Sequence, residues 1–296
     1  MLAILLVEIA IWSSVSSSAD NNRTPSLITP QFKGENISAL VFYIKIMGED
    51  TILGGRREWK KMAPASLTKI MTSLLAIENL SPRDLVVFSP DAKNVEEKTS
   101  LVKTGGILRR DDAIKLTMVG SANDASLALA QAVGKMSGTR NFSESLEIFR
   151  RMMNERAWSL GLDDTHFQNP VGLDAERHET TARDLARLAE YVWRYQPEIW
   201  QMSRQQETEV YSLDDIKYKI PNTNILLAEF PAILGSKTGF TDNAKEALLF
   251  FYPVKPDKTA VVVIMGSEDR VSDGRKIIDW LEDLDSEERL LGDIAN

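Results

Sequence analysis

No cysteine occurs anywhere in the 296 residues, which excludes disulfides, thiolate metal sites, a cysteine nucleophile and a lipid-modified cysteine. Histidine is nearly as scarce. His166 and His178 are the only two, and they fit no H-E-x-x-H or other ligand spacing, so neither a metal nor any other cofactor is expected. Basic charge is in deficit as well: 35 Lys and Arg face 43 Asp and Glu, a formal charge of −8 at pH 7. Without a basic stripe, nucleic acid is not an expected partner, and the acidity reads as a solubility feature.

Long apolar runs are missing too. The stretch from Leu2 to Trp12 is interrupted by Glu8 and followed by the small residues Ser13 to Ala19. It falls short of the ~20 apolar residues that a spanning helix needs, which disfavours a membrane anchor. An apolar segment followed by a cleavage region, with Ser17 and Ala19 at the positions a signal peptidase prefers, makes residues 1–19 an expected export signal, although no Lys or Arg precedes it. A buried N-terminal helix is the competing reading. Export implies an extracytoplasmic location, periplasmic or on the wall side of the membrane, with the membrane surface nearby.

What is present is an ordinary globular composition, 43% hydrophobic and 26% charged, with ample core. Residues 20–35, with Pro25 and Pro30, read as a linker. Residues 36–285 read as one folded domain with a helical subdomain over about 66–200, and 286–296 as a tail. Ile37 to Met47 and Thr51 to Trp59 flank Gly48-Glu49-Asp50 and predict a β-hairpin. Apolar spacing predicts helices from Asp111 to just before Ser121, from Asp124 to Val133 with Gly134 as its stop, and from Ser143 to Gly161. A fourth begins at a Thr181 cap, with Asp184 three residues on and the stripe Leu185, Leu188, Ala189 and Val192. Strand character returns at 234–241, 247–253 and 259–266, and an amphipathic helix over about 272–284 carries Ile277, Ile278, Trp280 and Leu281. The order of strands and helices implies helices covering an antiparallel sheet, an α/β (α+β) chain.

The chemistry is concentrated in three short stretches. The first is Ala63-Pro64-Ala65-Ser66-Leu67-Thr68-Lys69. Leu67, Ile70, Met71, Leu74 and Leu75 recur with helical spacing, and Pro64 places the helix start near Ser66. Ser66 and Lys69, three apart, then lie side by side. A lysine held against a serine hydroxyl in an apolar setting loses its preference for the charged form and can take the serine's proton. The helix N-terminus also aims a backbone N–H at an oxygen gaining negative charge. S-x-x-K alone is common by chance. Here Ser121-Ala122-Asn123 and Lys237-Thr238-Gly239 follow it in order, and the set resembles that of the penicillin-recognising serine enzymes. Ser121 to Ala125, Phe167 to Asp174 and Thr181 to Ala186 extend the likeness to the low-molecular-mass D-alanyl-D-alanine carboxypeptidases, over roughly residues 36 to 284.

That resemblance implies a β-lactamase/transpeptidase-like fold, with a five-stranded antiparallel sheet and an inserted helical subdomain forming one wall of a cleft. It implies Ser66 as nucleophile, Lys69 as general base, Ser121 as proton relay beside Lys237, and Asn123 as a donor to the substrate backbone. The oxyanion hole would use the backbone N–H groups of Ser66 and Phe240. Thr238, Gly239 and Arg270 would bind the substrate and its terminal carboxylate, with Arg275 as the rival arginine. Relatives carry Ala-Gly where this chain has Ala244-Lys245, so Lys245 is expected to alter the geometry of a close backbone approach. The β-rich second domain of many relatives is expected to be absent. The implied activity is removal of the terminal D-alanine from peptidoglycan stem peptides through an acyl-enzyme, with β-lactams as inhibitors. The alternatives are a D,D-endopeptidase, a class A β-lactamase, and a catalytically silent peptidoglycan-binding or sensor domain. Phe167-Gln168-Asn169-Pro170 offers no glutamate for a β-lactamase, and intact Ser66, Lys69 and Lys237 disfavour the silent domain.

Overall fold

The computed structural model describes residues 31–97 and 99–294. The expected export signal and most of the expected linker lie outside the described residues. The chain opens with the expected hairpin, β1 (Val41–Ile46) and β2 (Ile52–Arg56), paired from Phe42↔Arg56 to Lys45↔Ile52. A 3₁₀ turn, Ala65–Thr68, runs into α1 (Lys69–Asn79). The helical lobe continues through β3 (Leu85–Val87), α2 (Pro90–Lys93), β4 (Ile107–Arg109), α3 (Arg110–Met118), α4 (Asn123–Lys135), α5 (Phe142–Ser159), α6 (Ala182–Tyr195) and α7 (Glu198–Ser203). Then come β5 (Glu207–Tyr211), β6 (Lys217–Pro221), α8 (Leu226–Glu229), β7 (Gly235–Thr241), β8 (Lys245–Lys255), β9 (Lys258–Ser267) and α9 (Arg270–Ile294).

The main sheet has five antiparallel strands in the order β2-β1-β9-β8-β7. Its central strands are apolar on both faces, because both faces are covered. Odd-numbered residues, Val41, Tyr43, Leu249, Phe251, Val261 and Val263, pack with the helical lobe. Even-numbered ones, Phe42, Ile44, Leu248, Phe250, Val262 and Ile264, pack with Ile277, Ile278 and Leu281 of α9. The two-residue period of a strand therefore splits one hydrophobic run between two cores. This is the α/β (α+β) layered sheet that the sequence predicts. Among the described residues, no helix is long and apolar enough to cross a membrane.

Four local expectations need correction. Ser66 sits in the 3₁₀ turn, and regular α-helix begins only at Lys69. The third predicted helix starts earlier than Ser143, because Asn141 is its cap: the Asn141 side chain accepts the Glu144 N–H at 2.9 Å. Alternating Thr208, Val210, Tyr218 and Ile220 bury one face of a β5–β6 hairpin that the sequence reading did not include. Gly134 does not stop α4, which runs on to Lys135. A Cβ at this position would stand 2.3 Å from the Ser145 carbonyl oxygen, so the glycine lets α4 and α5 touch backbone to backbone.

Two effects compete in Gly134→Ala. Helix propensity favours alanine by about 1 kcal/mol, while overpacking against a backbone that cannot move aside costs about 1–3 kcal/mol. With the clash this close, packing wins. The variant is expected to unfold at lower urea concentration than wild type, by about 1–2 kcal/mol. A higher midpoint would mean that the two helices stand further apart.

Candidate active site

Ser66 is held in place by backbone contacts from two sides. Gly172 (φ +94°) lies so close that a Cβ there would meet the Ala65 carbonyl oxygen at 1.9 Å. From the other side, a Cβ at Gly239 of β7 would lie 3.0 Å from the Ala65 Cβ and 3.1 Å from the Ser66 nitrogen. Ala65 is itself left-handed, with φ +47°, and Ser121 has φ +59°. Such non-glycine conformations cost on the order of 1 kcal/mol each and persist where the surroundings dictate them.

Lys69 is fully buried. Its Nζ lies 2.7 Å from Ser66 Oγ, 2.8 Å from Asn123 Oδ1 and 2.5 Å from the Val171 carbonyl oxygen. The amide and carbonyl oxygens can only accept, whereas the serine hydroxyl can donate or accept. A neutral amine at this point can therefore give its two N–H groups to Asn123 and Val171 and turn its lone pair to the Ser66 hydroxyl. The Val171 carbonyl is a partner that the sequence reading missed, because a backbone oxygen leaves no signature in residue type.

Lys237, also buried, donates from Nζ to Ser121 Oγ and to the Thr238 carbonyl oxygen, both at 2.8 Å. Thr238 Oγ1 donates to Thr223 Oγ1 at 2.6 Å, tying β7 to the segment after β6. Ser66, Ser121, Asn123, Thr238, Gly239, Phe240 and Arg270 all line one cleft of about 400 Å³. The β5–β6 hairpin delivers Pro221, Asn222 and Thr223 to the same cleft, and Ile225 and Phe240 stand exposed on it.

The two candidate arginines separate clearly. Arg270 Nη1 donates to the Gly239 carbonyl oxygen at 3.3 Å and pairs with Glu246 at 3.2 Å. Arg275 instead makes a two-pronged pair with Glu229 at 2.7 Å on the surface and is not part of the cleft lining. Lys245 also has an explanation that differs from the expected one. It has φ +56° where β8 leaves a tight turn, so the conformation that suits glycine is a left-handed turn position rather than a close backbone approach.

The segment 167–178 is fixed by a buried histidine and an asparagine. Gln168 N–H donates to His178 Nδ1 at 2.7 Å, so Nε2 carries the ring proton and donates to Thr68 Oγ1 at 2.9 Å. Asn169 Oδ1 accepts the N–H groups of Val171, Gly172 and Leu173, while its Nδ2 donates to the Leu173 carbonyl. Together they set the turn that presents the Val171 oxygen. Burial, reinforced by His166 and opposed by Asp174, pushes the His178 imidazole from the usual 6.5 down to about 4.

The unfolded chain therefore takes up a proton at His178 as pH falls through 6.5, while the folded protein resists until about 4. Stability is fully present above the higher value and is lost on acidification through that window, by about 3 kcal/mol in all. Urea unfolding at stepped pH is expected to show this slope in wild type and a flatter one in His178→Gln. Equal slopes, or a His178 ring signal titrating near 6.5 by NMR, would reject the assignment.

Comparison with known proteins follows the same boundaries. The D-alanyl-D-alanine carboxypeptidase family matches residues 42–269. The carboxypeptidase DacF of Bacillus subtilis is 31% identical over 237 residues, 77% of this chain and 58% of its own length. A D-alanyl-D-alanine endopeptidase of Pseudomonas aeruginosa is 29% identical over 224 residues, 74% of this chain and 69% of its own. This chain thus spans little more than half the length of a carboxypeptidase such as DacF. Among solved structures, the carboxypeptidase DacD of Francisella tularensis superposes with a TM-score of 0.74 at 25% identity, over 86% of this chain and 72% of that one. The Streptomyces K15 DD-transpeptidase shares the fold, with a TM-score of 0.77 at 23% identity over 84% of this chain and 98% of that one. With the family matched from β1 to the residue before α9, this chain belongs to the D-alanyl-D-alanine carboxypeptidase family of serine peptidases.

Proposed function

We propose that this protein removes the terminal D-alanine from peptidoglycan stem peptides, outside the cytoplasm, by way of an acyl-enzyme on Ser66. The observation that carries the reading is the buried Lys69 amine, 2.7 Å from Ser66 Oγ and anchored by two oxygens that cannot donate. Lys69 takes the hydroxyl proton as Ser66 Oγ attacks the carbonyl of the D-Ala-D-Ala bond. The oxygen of that carbonyl gains negative charge and is stabilised by the backbone N–H groups of Ser66 and Phe240. Ser121, held by Lys237, relays the proton taken up by Lys69 to the departing D-alanine nitrogen, which returns Lys69 to its neutral form, and water then hydrolyses the ester. Arg270, and Thr238 once its hydroxyl turns from Thr223, hold the terminal carboxylate and Asn123 the upstream backbone, with Gly239 allowing the close approach to Ser66.

The endopeptidase reading keeps every one of these steps and changes only the leaving amine. The β-lactamase reading lacks a base for deacylation. Asn169 occupies the segment in question, and its side chain is consumed in fastening the turn. β-Lactams should therefore act as inhibitors.

The purified protein is expected to release D-alanine from diacetyl-Lys-D-Ala-D-Ala and to take a covalent label from fluorescent penicillin. Ser66→Ala should lose both, by at least about a thousandfold for turnover, since the nucleophile itself is gone. It should unfold within about 0.5 kcal/mol of wild type, because one hydroxyl facing a cleft contributes little to stability. Persistent labelling of that variant would point to another nucleophile.

The penicilloyl adduct on Ser66 is expected to outlast a substrate turnover by orders of magnitude, because the opened lactam stays tethered and no carboxylate activates water beside it. Mass spectrometry after removal of free drug reads this directly. Rapid return to the unmodified mass with steady drug consumption would favour a β-lactamase.

A further inference from the structure

Among the described residues lining the cleft, Glu97 and Arg270 are the charged ones, and they stand on opposite walls. Arg270 is tied to Gly239 of the sheet wall. Glu97 belongs to the helical wall, where the chain between Lys93 and Ser100 is fastened with unusual care. One buried carboxylate, Asp124, closes both ends: it accepts from Lys93 Nζ at 2.5 Å, and from the Ser100 N–H and hydroxyl at 2.8 Å each. The middle is pinned from the cleft itself, by Asn123 Nδ2 donating to the Glu96 carbonyl at 3.1 Å.

At the tip Glu97 has φ +66°, a left-handed conformation that a non-glycine residue rarely adopts. Its carboxylate makes no hydrogen bond or ion pair among the described residues, although the chain on both sides of it does. A strained, anchored backbone thus presents a carboxylate without a partner among the described residues to the cleft.

The cleft, of about 400 Å³, is lined by Arg270, Ser66 and Glu97 together. With the terminal carboxylate on the sheet wall near Arg270 and the scissile carbonyl at Ser66, the two D-alanines flank Ser66, and the residue just upstream extends away from Arg270 toward the wall that Glu97 lines. We propose that Glu97 is a specificity residue that receives a cationic side chain on this upstream residue, so that the cleft favours peptides with an unblocked amino group there. The inference rests on the acyl-transfer reading given above and names a feature of its substrate.

The test compares two peptides, Nα-acetyl-Lys-D-Ala-D-Ala with its ε-amine free, and the diacetyl form with that charge removed. Wild type is expected to favour the free amine in kcat/KM by about two- to fivefold at low salt, the range of an accessible ion pair, with the ratio shrinking as salt is added. Glu97→Gln should bring the ratio close to one, Glu97→Asp should restore part of it, and Glu97→Lys should invert it. Penicillin labelling and thermal unfolding check that each variant is folded. A wild-type ratio near one, or a ratio untouched in Glu97→Gln, overturns the assignment. Should neither peptide release D-alanine and Ser66 take no label, the acyl-transfer reading itself has failed, a result distinct from loss of the ratio alone.

Discussion

Two lysine side chains buried beneath one cleft impose the constraint on which the rest of this structure depends. A long polar side chain removed from water is costly unless its donors are matched. No single element can supply the matching oxygens here. Lys69 draws on the 3₁₀ turn through Ser66, on α4 through Asn123, and on the 170–172 turn through the Val171 carbonyl. Lys237 joins β7 to the turn before α4 through Ser121. The Lys237–Ser121 bond crosses from the sheet to the helical lobe, so a contact that arranges the cleft also fastens the two layers together.

Backbone strain follows from the same demand. Ala65 and Ser121 are left-handed because each must turn a serine hydroxyl toward a lysine whose own position is already set. The glycines at 172 and 239 remove the Cβ atoms that would push the Ser66 turn aside. This explains in packing terms why the last residue of the Lys237-Thr238-Gly239 motif is a glycine.

Much of this was readable in the sequence where a side chain or a period carries the signal. The unbroken apolar runs of β8 and β9, the stripe on α6 and the Ser66–Lys69 spacing each map onto a single geometric rule. What escaped the reading was of another kind. The Val171 carbonyl acts through backbone, which every residue possesses. The positive φ at Ala65 and Ser121 is imposed by distant neighbours rather than by local propensity. Gly134 reads as a helix stop because a glycine at a helix end and one at a helix crossing look alike in one dimension; only the Ser145 carbonyl above it distinguishes them. The β5–β6 alternation was present but short and heavily charged on its outer face, Glu207, Glu209, Lys217 and Lys219, which weakened its apolar pattern.

The position of β7 at the end of the sheet carries a further consequence. The far edge, β2, is occupied: Phe32 N–H donates to the Leu53 carbonyl at 2.7 Å, and the Gln31 side chain caps Ile52. The β7 edge opens instead into the cleft. An uncovered strand edge ordinarily invites pairing with the edge of another folded molecule, the first step of self-association. Here the helical wall carrying Ser121, Asn123 and Glu97 stands across the cleft from it, so an extended peptide can lie along the edge while the rim of a second folded sheet would meet that wall first. The edge that receives a peptide is thereby shielded from pairing with another copy of the chain.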